Sequence, residues 1–410
     1  MPYLSVHDIN NLLKLLALAI VFKYFHRLYY RSKYWPPGPR GLPILGNIFQ
    51  LPSFPWFKFT EWKAQYGPII SLNLAGQPMI ILNTAKAASD LLNHRSQIYS
   101  DRPPYIMAQE ILTGGVDIAL IPYGDLWRRM RRATHESFNI RASEKYMLGK
   151  KSAASTVLGG VYGWDPVGIN GDPVIDKINN LAHRLVYASL PGAYLVEIFP
   201  IMKYLPSWIA KWKREGLDWF AKDTKMFEDL MSEVKERKGR FGFSNKELCW
   251  LAGAMFLAGS ETTAAATAVF LLAMVLNPDV MREAQAELDE VIGRDRPPTF
   301  RDFDRLPYIQ AVVKEVFQDV QERAIHRDPE IFPDPDEFRP SRFLDASGKL
   351  NHKLADNMPL GHVAFGFGRR MSFYVKLILE QYIYGASSTS NQVGLDFPQL
   401  GSTSGVPKLV

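Results

Sequence analysis

The chain has 410 residues, 47% hydrophobic and 22% charged, with a formal net charge of +6. That balance describes a folded protein with a large core and excludes a disordered one. The positive residues form no single long block, which excludes nucleic acid as the natural partner, and one cysteine, Cys249, excludes an internal disulfide framework.

Leu12 to Phe25 is apolar apart from Lys14 and Lys23. It is shorter than the roughly 20 residues of a comfortable span. No positive leader precedes it, and Lys23, Arg27, Arg31, Lys33 and Arg40 lie at its end or after it. Residues 1–34 are therefore expected to be a membrane anchor with a basic flank, a peripheral amphipathic helix being the alternative. The positive-inside rule keeps the rest of the chain on the cytosolic side.

Trp35-Pro36-Pro37-Gly38-Pro39-Arg40-Gly41-Leu42-Pro43 predicts a stiff, extended connector. Ile69–Leu74 and Met79–Leu82, with a turn at Gly76-Gln77-Pro78, predict a β-hairpin. A short helix is expected over Ala85–Arg95. Trp127-Arg128-Arg129-Met130-Arg131-Arg132 has the composition of a solvated helix face, but its spacing sets Trp127 and Arg131 one turn apart on the same side. Pro191–Arg237 alternates broad apolar faces (Ile209, Trp212, Trp219, Phe220, Phe227) with lysines and arginines that reach outward.

Asn245–Leu276 is a long apolar run. Ser244 and Glu247 form a capping-box signature before it and Pro278 stops it, so it predicts a buried central helix about 48 Å long. At its middle lies a polar island, Ala258-Gly259-Ser260-Glu261-Thr262-Thr263. Thr262 can bond back to the carbonyl one turn earlier, and Gly259 admits a flat ligand close to the backbone. A core helix with a packing kink and a ligand site supplied with protons both fit this island. Arg282–Arg294 is amphipathic. Leu306–Glu315, Phe338-Arg339-Pro340-Ser341-Arg342-Phe343 and Phe365-Gly366-Phe367-Gly368-Arg369-Arg370 follow.

Taken in order, these stretches resemble the motifs of the cytochrome P-450 monooxygenases, fungal microsomal members most of all. The proline stretch resembles their hinge, Trp127 and Arg131 their W-x-x-x-R, and the polar island their oxygen-binding motif A/G-G-x-D/E-T-T/S. The region after Leu306 is similar to the start of their helix K. Phe365–Arg370 matches the first part of F-G-x-G-x-R-x-C-x-G, the haem-binding loop. The resemblance implies a mainly α fold with a small β-region, spanning residues 35–371. The tail, 372–410, has no family pattern.

It also implies haem as cofactor, an NADPH-dependent reductase as electron donor, and a lipophilic small-molecule substrate. The setting it implies is the endoplasmic reticulum membrane, with the catalytic domain facing the cytosol. Trp127, Arg131 and Arg370 would hold propionates, and Ala258 and Gly259 would make room for oxygen. Glu261 and Thr262 would supply protons for its reduction. Phe365 and Gly368 would shape the loop, and Glu315 and Arg342 would form a structural pair.

Several positions depart from the pattern. Ser372 stands where the loop's cysteine ligand belongs, and Tyr374 stands at its last glycine. The arginine of helix K's E-x-x-R is Gln318, and only Asp319–Arg323 separate it from Ala324. Joints that look short also occur around Leu148-Gly149-Lys150 and between Arg237 and Ser244. Cys249 is expected to be a small buried hydrophobe, and His362 is a remote substitute ligand. The expectation is an incomplete fold: a monooxygenase by family that is inactive as written, with a non-enzymatic remnant or an apolar-ligand-binding membrane protein as the alternatives.

Overall fold

A computed structural model describes residues 35–43, 45–52, 55–74, 76–137, 173–190, 192–232, 241–296, 300–320, 331–351 and 366–370, with Ile325 and a few positions between 11 and 22. Most of the expected anchor lies outside these residues, as do Phe365, His362, Ser372 and the tail. Glu261 and Gln318 are described by their backbone alone. The chain divides into two compact units, 1–87 and 88–410.

In the first unit, helix α1 (Pro55–Tyr66) precedes an antiparallel hairpin of β1 (Ile69–Leu74) and β2 (Gln77–Leu82). The register runs from Ile69 opposite Leu82 to Leu74 opposite Gln77. Gln77 and Pro78, expected in the turn, are strand residues. A two-stranded ribbon tolerates this proline because both of its strands are edges. Trp62, Ile70 and Leu72 form a small core. The proline stretch lies along β1: Ser71 donates its amide to the Pro37 carbonyl at 2.9 Å and its hydroxyl to the Pro36 carbonyl at 2.6 Å.

In the second unit the main helices are α2 (Asp125–Ser137), α3 (Pro173–Ser189), α4 (Lys211–Ser232), α5 (Asn245–Leu276), α6 (Pro278–Val291) and α7 (Pro307–Val320). Helix α5 touches α3, α4, α6 and α7. Its start is fixed by the capping box: the Ser244 hydroxyl accepts the Glu247 amide at 3.2 Å, and the Glu247 carboxylate accepts the Ser244 amide at 2.7 Å. Its end is set by Pro278, which opens α6.

The first half of α5 is core. Trp250 is buried, donates its indole N–H to the Thr224 hydroxyl at 2.9 Å, and meets the Phe227 ring edge-on at 5.2 Å. Gly253 makes this possible, because a Cβ there would fall 2.4 Å from that ring. The second half corrects the expectation of burial along the whole length. Ala266, Phe270, Ala273 and Met274 form a stripe at helical spacing in the core, while Leu271, Leu272, Val275 and Leu276 are exposed.

Candidate functional site

The polar island of α5 satisfies itself locally. The Thr262 hydroxyl donates to the Ala258 carbonyl at 2.5 Å, Thr263 to Gly259 at 2.5 Å, and Thr267 to Thr263 at 2.8 Å. Each bond spans one helical turn, and that of buried Thr263 covers a polar group that would be costly to leave unpaired. Thr263 and Gly259 are buried, Ala258 is half-buried and Thr262 is exposed. Among the described side chains of the island, Thr262 is thus the hydroxyl that faces outward from the core.

A second set of candidates comes together on α2 and the loop before it. Trp127 is buried, and its ring lies 5.1 Å from that of Tyr123. Burial pulls the Arg131 pKa below its ordinary value. Onto this surface docks the five-residue arm Gly366–Arg370, about 240 residues later in the chain. The Arg370 guanidinium lies 4.9 Å from the Trp127 ring centroid, at cation–π distance. Its Nε donates to the Ser100 carbonyl at 2.9 Å, Nη2 to Ile121 at 2.7 Å and Nη1 to Ile118 at 3.3 Å. Burial, and then the charge of Arg102, lower the Arg370 pKa to about 10, which leaves it charged at neutral pH.

The rest of the arm is fixed as firmly. Gly368 has φ +61°, and its amide donates to the Asn93 side-chain oxygen at 2.7 Å. A Cβ there would lie 2.1 Å from the Leu92 carbonyl oxygen, so only glycine fits. Arg369 donates to the Tyr123 hydroxyl, and its guanidinium lies 5.2 Å from that ring's centroid.

Glu315 and Arg342 pair out of water. Arg342 Nε lies 3.0 Å from Glu315 Oε2, with both side chains 3% exposed. Arg342 also donates to the carbonyls of Pro333, Asp334 and Glu337, and Glu315 accepts the Arg339 amide at 2.8 Å. The pair therefore ties residues 331–343 to α7.

Two contributors were missed in the sequence. Tyr123 lies in the loop before α2, where helical spacing from Trp127 does not apply, so no periodic signal marked it. Asn93 carried no signal, because its partner is 275 residues away.

The comparisons with known proteins bear on the same stretches. The family model described as Cytochrome P450 matches residues 36–157, 201–317 and 320–371. The chain belongs to the cytochrome P450 family. It is 48% identical to Cytochrome P450 monooxygenase 58 of Postia placenta over 406 residues, covering 82% of this chain and 77% of that protein. It is 39% identical to Cytochrome P450 monooxygenase ARMGADRAFT_1018420 of Armillaria gallica (87% and 82%) and 33% identical to Cytochrome P450 monooxygenase iboC of Amanita muscaria (81% and 71%).

A stretch of 406 aligned residues that takes up only 82% of a 410-residue chain includes positions where this chain has nothing opposite its relative. The family match is interrupted at 318–319, the joint expected after Gln318, and over 158–200. The joints expected at 148–150 and 237–244 fall inside matched segments.

By family, the cofactor is haem and the electron donor is a redox partner. Set against haem, the residues divide. A half-buried Arg370 over the Trp127 indole, with half-buried Arg131 one turn further along α2, suits propionates. The axial donor does not fit: the ligand position is Ser372, a hydroxyl with no anionic form at neutral pH, where the family supplies a thiolate. Cys249 is buried in the core of α5, nine residues and about 13 Å along the axis from Ala258.

Proposed function

We propose that the chain is a monooxygenase-type protein that retains the distal helix and the basic clamp of its family but, as written, does not insert oxygen. One observation carries this reading. The arm ending at Arg370 docks beside Trp127, and two positions further along the sequence, where the family's loop carries its cysteine, this chain has Ser372. In the family the thiolate there pushes electron density onto the iron and favours O–O cleavage. No step of that chemistry is assigned to this chain. Its own residues hold a hydroxyl (Thr262) outward on α5 and a half-buried arginine (Arg370) over an indole.

The same reading includes a lipophilic ligand, an NADPH-dependent reductase and the endoplasmic reticulum membrane. Leu190, Leu195, Phe199, Ile201, Tyr204 and Trp208 are all exposed, with Lys203, Lys211 and Lys213 among and after them, which supports contact with an anionic lipid surface. Among the described residues one helix, α5, is long and apolar enough to cross a membrane. Its first half lies in the protein core, which supports reading it as a core helix.

The test is activity in membranes that hold the full chain, a fungal reductase and NADPH. Substrate-dependent NADPH oxidation that stays at the level of chain-free membranes across a panel of lipophilic compounds is the expected result. Carbon-monoxide-sensitive oxidation of any of them by the unaltered chain would overturn the proposal.

A further inference from the structure

We infer that Arg370 is a positioning residue, a clasp that seats the arm Gly366–Arg370 on the surface of residues 93–127 without any cofactor. The inference rests on reading this arm as the family's ligand-bearing segment, and it adds to the propionate role expected from the sequence, since two N–H donors remain. A guanidinium has five N–H donors. Three nitrogens of Arg370 are already committed to the carbonyls of Ser100, Ile118 and Ile121, and one face of its plane lies over Trp127.

These carbonyls are backbone groups of the loop between Ser100 and α2, so the clasp also fixes that loop. Asp117 contributes from within it: its carboxylate accepts the Ala119 amide at 2.7 Å and it is buried. The contacts of Gly368 with Asn93 and of Arg369 with Tyr123 need no prosthetic group either. Arg131, on α2, comes from outside the clasp.

The geometry therefore assigns Arg370 the work of seating the arm. A lysine at 370 would keep the charge, but its donors sit on one nitrogen and lack the planar fork that spans three separate carbonyls, whereas an alanine would serve none.

Hydrogen exchange on the full-length chain, with and without added haemin, tests this. In the haem-free protein the Gly368 amide is expected to be protected. Arg370→Ala is expected to speed exchange over 366–370 and 118–121 by about tenfold or more, the size of one lost hydrogen bond to a charged donor. Arg370→Lys is expected to fall between alanine and the unaltered chain. Protection within the core half of α5 reports that each variant is folded.

The clasp is wrong if the arm exchanges like an unstructured peptide until haemin is added, or if Arg370→Ala leaves it protected. A lysine variant indistinguishable from the unaltered chain would also contradict it, because charge alone would then suffice. Failure of the underlying reading shows elsewhere, as the absence of a thiolate spectrum from a Ser372→Cys chain.

Discussion

The polar island of α5 and the arm Gly366–Arg370 are both family motifs that survive in this chain, and they are built in opposite ways. The island closes its hydrogen bonds within one helical turn, between residues four apart. The arm closes its bonds with groups 246 to 275 residues away. A motif of the first kind forms wherever its helix forms. A motif of the second kind depends on elements far apart in the sequence being brought together, so it is the kind that a change elsewhere in the chain can disturb.

The comparison can be broken by substitutions of each kind. The largest effect is expected from Arg342→Ala, which leaves Glu315 buried without this cation and takes a donor from the carbonyls of Pro333, Asp334 and Glu337. Removing one partner of a buried pair costs about 3–5 kcal/mol, read as a fall in the urea midpoint. A loss below about 1 kcal/mol would mean that residues 331–343 are not tied to α7 by this pair.

Gly368→Ala comes next. A Cβ 2.1 Å from the Leu92 oxygen, at positive φ, forces the arm away from Asn93. Backbone strain of this kind costs about 1–3 kcal/mol. The expected signature is proteolysis at the arm with the α5 core unchanged, and unchanged cleavage would show that the arm is not seated there.

Thr263→Val removes a local bond in a fully buried position. About 1 kcal/mol of lost stability is expected, with no change at the arm. Ser244→Ala, which deletes the cap of α5, should cost about 0.5–2 kcal/mol and shorten the helix only at its first turn, read by exchange of the amides near Glu247. If either local change loosened Gly366–Arg370, the separation of local from long-range motifs would fail.

What the sequence made legible follows the same division. The bounds of α5 were readable from Ser244, Glu247 and Pro278, because capping and proline act on neighbours. The hairpin was readable from its β-branched strands and Gly76, though Gln77 and Pro78 were placed in the turn because their type outweighed their position. The exposed stripe Leu271, Leu272, Val275 and Leu276 was not readable, since hydrophobicity on every side says nothing about which neighbours are present. Nor was the commitment of Arg370 to three carbonyls, because a carbonyl partner has no side-chain identity to recognise. Glu197 shows the same limit: its carboxylate accepts the amides of Ile106 and Met107, some 90 residues earlier, and no local pattern announces it.

The most direct measurement is the absorption spectrum of the expressed chain, reduced and exposed to carbon monoxide, beside a Ser372→Cys variant. The unaltered chain is expected to give no thiolate-type Soret band. The variant is expected to gain that band if the seated arm delivers residue 372 to iron. A thiolate-type band from the unaltered chain would mean that a sulfur, necessarily that of Cys249, reaches the iron, and would contradict the account.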